Sequence, residues 1–98
     1  MNKEILETKL QNVAGGSGRE KTVRLTVNLP STNNLNKVTV FIDGTLESSL
    51  CNEYDSCIET IYLEVKGTVK SKIVEVKVNN LPYKSYTVDF EKGTYQEY

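Results

Sequence analysis

Two cysteines are the first residues whose types and spacing point to chemistry. Cys51 and Cys57 bracket the polar residues 52–56. If the flanking segments pair as a hairpin, their Cα atoms fall within the ~4.4–6.8 Å that a disulfide requires. The alternative is a pair of reduced thiols, as in proteins of a reducing compartment. A zinc site is not expected, because two sulfurs without histidine leave a four-ligand site half empty.

The loop between the cysteines also carries oxygen ligands. Asn52, Glu53 and Asp55 crowd this short segment. Calcium prefers about six to eight oxygen ligands, so three candidates from one loop are too few. We therefore predict a polar loop tip and no metal site.

The chain contains no histidine. This excludes Ser-His-Asp and Cys-His nucleophiles, which depend on imidazole to move protons near neutral pH. The acidic residues alternate with apolar ones, as on solvated strand faces. Residues 15–18 are glycine-rich but lack the preceding buried strand and the following lysine of a phosphate-binding loop. We predict a protein that is not an enzyme, with no catalytic residues and no cofactor.

Tyrosine dominates the aromatic residues, supplying six of eight. Tyrosine is enriched at protein interfaces because it offers contact area at low entropic cost together with a hydroxyl group. Tyr83, Tyr95 and Tyr98 lie in a turn or near the last residue of the chain, and Tyr54 lies in the cysteine loop. These four are the candidate protein-binding residues. The alternative is that they only cover one end of a sandwich.

The elements that position these residues are predicted to be strands, because apolar and polar residues alternate from Lys21 onward. We predict an all-β fold, an immunoglobulin-like or prealbumin-like antiparallel β-sandwich. Asp43-Gly44 favours a tight turn. Residues 45–50 and 58–65 are predicted to pair as a hairpin around the cysteine loop. The predicted strands cover residues 23–29, 38–42, 45–50, 58–65, 69–78 and 86–90.

The first eighteen residues follow another pattern. Leu6, Leu10 and Val13 have the spacing of a short amphipathic helix. The alternative takes Leu6, Thr8 and Leu10 as one face of a further strand at an open sheet edge. Residues 15–18 are typical of a flexible linker, natural or engineered. We therefore divide the chain into 1–18, an N-terminal helix or flexible segment with a glycine-rich linker, and 19–98, the β-sandwich domain.

The length and net charge of the chain limit the classes of partner that it can bind. Ninety-eight residues suit one domain, and the net charge of −1 lacks the basic footprint of nucleic-acid binding. No apolar stretch approaches the ~20 residues of a membrane span.

No secretory signal is visible, so the protein stays inside the cell or has lost a signal. An extracellular or cell-surface location is favoured, and a cytoplasmic one stays open. A protein partner is expected.

The segment 72–88 contains a strand, a Leu81-Pro82 turn and a Tyr86-Thr87-Val88 strand. It resembles Cna protein B-type domains, the prealbumin-like sandwiches of Gram-positive surface proteins and pilins. Residues 22–27 and 38–44 are similar to the first hairpin of that family. Lys21 could take the role of the family's crosslinking lysine, but its partner in a final strand has no counterpart here.

The resemblance implies a structural or adhesive module that forms part of a bacterial surface assembly. The alternative function is a small inhibitor, encoded by a phage or mobile element, that binds and blocks a host enzyme.

Overall fold

The computed structural model describes residues 19–98. The helix, strand and linker hypotheses for residues 1–18 lie outside the described residues. None of the described residues forms a helix long and apolar enough to cross a bilayer. Apart from one short 3₁₀ turn, Ser48–Leu50, the regular structure of this part consists of strands: β1 Lys21–Asn28, β2 Asn36–Ile42, β3 Thr45–Leu46, β4 Asn52–Tyr54, β5 Thr60–Gly67, β6 Ser71–Val78, β7 Leu81–Asp89 and β8 Thr94–Glu97.

The strands form two antiparallel sheets of unequal width. β1 and β5 make a two-stranded sheet with eight paired residues and no register shift. The larger sheet has the order β3-β2-β6-β7-β8. β4 also pairs with β2, at residues 36–38, whereas β3 pairs with residues 41–42 of the same strand. Every pairing is antiparallel, so the predicted all-β, antiparallel, sandwich-like architecture is confirmed.

Alternation of apolar and polar residues builds the core. From Val23 on β1 and from Ile61 on β5, every second side chain is buried and the ones between are exposed. The buried residues of both sheets form one cluster, so the two sheets pack face to face. The cluster contains Val23, Leu25, Val27, Leu29, Val38, Val40, Ile61, Leu63, Val65, Val74, Val76, Val78, Tyr86, Val88 and Phe90.

Tight turns of positive φ join consecutive strands of the larger sheet. Asp43 and Gly44 have φ values of 51° and 84°, which confirms the predicted turn. Asn79 and Asn80, at 54° and 68°, make a second two-residue turn between β6 and β7. Both pairs have the positive φ at two central residues that matches the twist of a hairpin.

The predicted hairpin around the cysteine loop is wrong. β3 and β4 both pair with β2, whereas β5 pairs with β1 in the other sheet. Residues 55–59 therefore connect the two layers. Alternation alone could not show this, because it identifies strands without naming their partners. The sequence analysis also missed β8, and it began β7 five residues late, at Tyr86 instead of Leu81.

Candidate functional site

The direction of the backbone groups on the two-stranded sheet defines its outer edges. The amide of Thr26 donates to the hydroxyl of Tyr95 and the carbonyl of Asn28 accepts from the hydroxyl of Tyr83, so these groups point away from β5. Leu29 instead donates to the carbonyl of Glu59. Because an antiparallel ladder alternates between bonded and non-bonded pairs, the outward-pointing positions are the even-numbered residues.

On β5 the outward positions are therefore Thr60, Tyr62, Glu64 and Lys66, the partners of Asn28, Thr26, Arg24 and Thr22. Only the carbonyl of Lys66 has a partner among the described residues, the Nζ of Lys72 at 3.2 Å. The amide and carbonyl groups of Tyr62 and Glu64 have no hydrogen-bond partner in this part of the chain. An unpaired row of this kind is a template for a further strand.

The outer strands of the larger sheet are shorter. On one side β3 and β4 contain two and three residues and are separated by the 3₁₀ turn. On the other side β8 contains four residues. Short and interrupted edge strands are a common protection against edge-to-edge pairing. β5, with eight residues, lacks this protection.

An open cleft of approximately 430 Å³ runs along the β5 edge. Glu64 and Lys66 form its β5 side, and Ile42 and Leu50 contribute apolar surface from the layer of the larger sheet. Both apolar side chains are half-buried and pack against the core. The remaining lining residues are Glu20, Glu47, Ser49 and Lys72. The cleft therefore lies beside the outward backbone groups of Glu64 and Lys66, and its lining is mostly polar and charged, with apolar surface from Ile42 and Leu50.

Two of the four candidate tyrosines lie together at the other edge of this sheet. The hydroxyl of Tyr83 donates to the carbonyl of Asn28 at 2.6 Å, and the hydroxyl of Tyr95 accepts from the amide of Thr26 at 3.3 Å. The Tyr95 ring meets the buried Tyr86 ring edge-on, with centroids 5.7 Å apart. Tyr83 and Tyr95 thus satisfy two of the outward backbone groups of β1, a structural task that their sequence positions did not reveal.

The other two candidates lie apart from this group. Tyr54 is in β4, at the opposite side of the larger sheet, and packs against the core. Tyr98 follows β8 and is 69% exposed. The four candidate residues therefore do not form one surface. Tyr62, which was not a candidate, is 56% exposed on β5 and has the Arg24 guanidinium 4.5 Å above its ring.

Both cysteines are free thiols, and no disulfide joins them. The Cys51 thiol donates to the carbonyl of Glu47 at 3.3 Å and accepts from the amide of Val40 at 3.4 Å. Cys57 is exposed in the segment that connects the layers. A hydrogen bond to the Asp55 carboxylate, with its negative charge, raises the pKa of the Cys57 thiol. The protonated form is therefore favoured, which is the opposite of an activated nucleophile.

The oxygen atoms of the cysteine loop are used locally. The side chain of Asn52 accepts from the amide of Glu53, and that of Asp55 accepts from the amide of Cys57. The backbone hydrogen bond from Cys57 lowers the pKa of Asp55. Within residues 19–98, no group of three or more histidine, cysteine, aspartate or glutamate side chains is placed to hold a metal ion.

No protein-family model, curated protein or solved structure matches this chain. Its function must therefore be argued from its own geometry.

The sequence analysis missed the β5 edge. The alternation Tyr62, Glu64, Lys66 was interpreted as an ordinary solvated face, and that is correct for the side chains. The missing information was strand order. Only the placement of β5 beside β1 shows that its other row of backbone groups pairs with no strand of residues 19–98.

Proposed function

We propose that this protein is a non-enzymatic structural or adhesive module that binds polypeptide, and that an extended segment adds to β5 as a further strand. The backbone groups of Tyr62 and Glu64, which have no partner among residues 19–98, carry the proposal, and Glu64 also lines the cleft. In this mode of recognition, main-chain hydrogen bonds supply affinity, and pockets for alternate side chains supply specificity. Half-buried Ile42 and Leu50 lie where such side chains would rest.

The ionisable groups with shifted pKa values give no support to a catalytic role. Asp55 and Cys57 lie in the segment that connects the layers, whereas Lys84 and Tyr86 lie in β7. Active sites gather such groups in one cleft, and the cleft beside β5 contains none of these four.

A place in a bacterial surface assembly belongs to the same proposal. It is supported by the likeness of residues 72–88 to Cna protein B-type domains. The lysine crosslink of that family is not part of the proposal, because Lys21 is exposed, opposite Gly67 on β5.

Proline substitutions test strand addition at the β5 edge. Glu64→Pro removes an outward amide from β5, and Arg24→Pro removes the matched outward amide from β1. Neither amide belongs to the β1–β5 ladder, so both variants keep its hydrogen bonds. The full-length chain, immobilised, is used to capture proteins from candidate host extracts, and a circular dichroism spectrum confirms that each variant is folded.

A protein retained by the wild type and by Arg24→Pro, and lost with Glu64→Pro, is the expected result. Equal retention by both variants would contradict the proposed site. A photoreactive side chain at position 62 gives a second measurement, independent of proline, and it should crosslink the same protein. If the captured protein is an enzyme that the chain inhibits one-to-one, the inhibitor hypothesis replaces the structural one. Turnover of a substrate by the purified chain would end both.

A further inference from the structure

We infer that the polypeptide that adds to β5 carries an arginine or lysine opposite Glu64, with an apolar residue on either side of it. The inference rests on the proposed function, because it names the chemistry of the segment that occupies the β5 edge. The observation behind it is the way in which β1 already pairs with Tyr62 and Glu64.

β1 places a basic residue opposite this part of β5. Arg24 is the cross-strand partner of Glu64, and both side chains are exposed on the solvated face of the two-stranded sheet. The Arg24 guanidinium lies 4.5 Å from the centre of the Tyr62 ring, and Tyr62 is the neighbouring residue on the same face of β5. A cation is favoured both over an aromatic ring and opposite a carboxylate. β1 therefore shows which type of side chain suits this position.

The Glu64 carboxylate has no ion-pair partner among residues 19–98, and the two ion pairs within this part of the chain lie elsewhere. Glu20 and Glu47 bring two further carboxylates to the cleft that Glu64 lines. Of the two lysines in the same lining, Lys72 directs its ammonium to the carbonyl of Lys66. An added strand therefore meets a carboxylate that is able to accept a cation.

The spacing of a sheet brings a long basic side chain to both groups. A residue directly opposite Glu64 has its Cβ about 4.5–5.5 Å from that of Glu64, and a diagonal neighbour lies at about 7–8 Å, within reach of a long side chain. Tyr62 is in this diagonal position, and its side chain is 56% exposed. An acidic residue at the same place would instead oppose a like charge. Charge therefore selects the residue opposite Glu64.

The residues on either side of the basic one face the other layer, because side chains of a strand alternate between its two faces. They extend the row of Leu63 and Val65, which are 2% and 0% exposed, on the side where Ile42 and Leu50 contribute apolar surface to the cleft. Apolar side chains suit both positions. Opposite Lys66, a neutral or acidic residue is favoured for the converse electrostatic reason. The segment is thus an alternating strand with a basic residue between apolar neighbours.

Two synthetic peptides test this inference. Both contain nine residues of alternating threonine and valine, enough to follow the eight residues of β5, and the central threonine is replaced by arginine in one and by glutamate in the other. Binding to the full-length chain is followed through the backbone amide signals of Tyr62 and Glu64. The arginine peptide should bind about five- to tenfold more tightly at low salt, because the glutamate peptide opposes like charges.

Two matched variants locate the preference. Glu64→Gln should abolish the preference for arginine and leave the weaker binding that the backbone provides to both peptides. Glu75→Gln neutralises an exposed glutamate of β6, in the larger sheet, and should keep the preference. Salt at about 1 M should reduce the preference in the wild type, because the screening length falls to about 3 Å.

Equal affinity of the two peptides for the wild type would overturn the inference, and so would a preference that survives in Glu64→Gln. Either result would leave the proposed function standing, because the edge would still bind polypeptide. Failure of both peptides to shift the two amides at millimolar concentration would also contradict the inference, whereas the capture experiment with Arg24→Pro and Glu64→Pro decides separately on the proposed function. A dimer of the purified chain that Glu64→Pro converts to monomer would contradict the inference as well, because a second copy would then fill the edge.

Discussion

The outer edges of β1 and β5 have equal length and belong to the same ladder, but they are closed in different ways. At the β1 edge, the hydroxyls of Tyr83 and Tyr95 reach across from the larger sheet to a carbonyl and an amide. At the β5 edge, Lys72 is the one side chain of the described part of the chain that reaches across, to the carbonyl of Lys66. The two strands alternate alike, so the side chains of the neighbouring layer decide which outward backbone groups have a partner.

The chemistry of the closing side chains explains the difference. A tyrosine hydroxyl both donates and accepts, so it can satisfy either kind of backbone group. A lysine ammonium only donates, so it can satisfy carbonyls and never amides. The amides of Tyr62 and Glu64 have no acceptor among residues 19–98, and Lys72 cannot provide one.

The largest expected effect tests whether β1 and β5 contribute equally to the core through their buried side chains. Leu25 and Leu63 are cross-strand partners, 0% and 2% exposed. Leu25→Ala and Leu63→Ala should each lower the free energy of unfolding by about 2–5 kcal/mol, because each leaves a cavity in the core. Urea denaturation measures both. A negligible loss of unfolding free energy for one variant would show that β1 and β5 do not contribute equally to the core. The comparison of their outer edges would then have no basis.

The next effect separates the two edges directly. Tyr83→Phe leaves the carbonyl of Asn28 without its 2.6 Å hydrogen bond and should cost about 0.5–1.5 kcal/mol. Tyr62→Phe, on the β5 side, should leave the free energy of unfolding unchanged, because the Tyr62 hydroxyl has no hydrogen bond among the described residues. Equal losses in chemical denaturation would mean that the β1 edge is not held by tyrosine hydroxyls.

Alkaline pH should weaken the β1 side. Burial, and then the charge of Glu97, raise the pKa of Tyr86, whose ring supports Tyr95. A raised pKa means that the folded state favours the neutral phenol. The resulting stability is complete below the unfolded pKa of about 10 and is lost as the pH rises above it. Thermal unfolding between pH 8 and about 11 should show a shallower decline for Tyr86→Phe than for the wild type. A parallel decline would remove Tyr86 from this account.

The smallest effect concerns Lys72. Lys72→Met removes the 3.2 Å hydrogen bond to the carbonyl of Lys66, a bond that the structure places at an exposed site. The free energy of unfolding should change by no more than about 0.5 kcal/mol, as is usual for surface substitutions. A larger loss in urea denaturation would show that the β5 edge is closed more firmly than its hydrogen bonds indicate.

Local patterns predicted the strands, and non-local pairing decided the site. The alternation in residues 23–29 is sufficient to place Leu25 and Val27 in the core, because side chains of a strand alternate between faces whatever its partner. The same alternation in residues 58–65 is compatible with pairing to residues 45–50 or to β1. The structure selects β1, more than thirty residues away along the chain.

The roles of Tyr83 and Tyr95 were hidden for the same reason. Their hydrogen bonds connect residues 55 and 69 positions apart, a distance that no sequence window covers. The turn at Asp43-Gly44 was predictable, since aspartate and glycine tolerate the positive φ values that a two-residue hairpin turn requires.

Cross-strand contacts between Hα protons test the central claim most directly. In an antiparallel ladder, opposed Cα atoms are about 4.5 Å apart in non-hydrogen-bonded pairs and about 5.5 Å apart in hydrogen-bonded pairs. Strong nuclear Overhauser effects should therefore join the Hα protons of Arg24 with Glu64 and of Thr26 with Tyr62. Strong effects between Leu25 and Leu63 instead would mean that Tyr62 and Glu64 direct their amides into the ladder, and β5 would have no open edge at these residues.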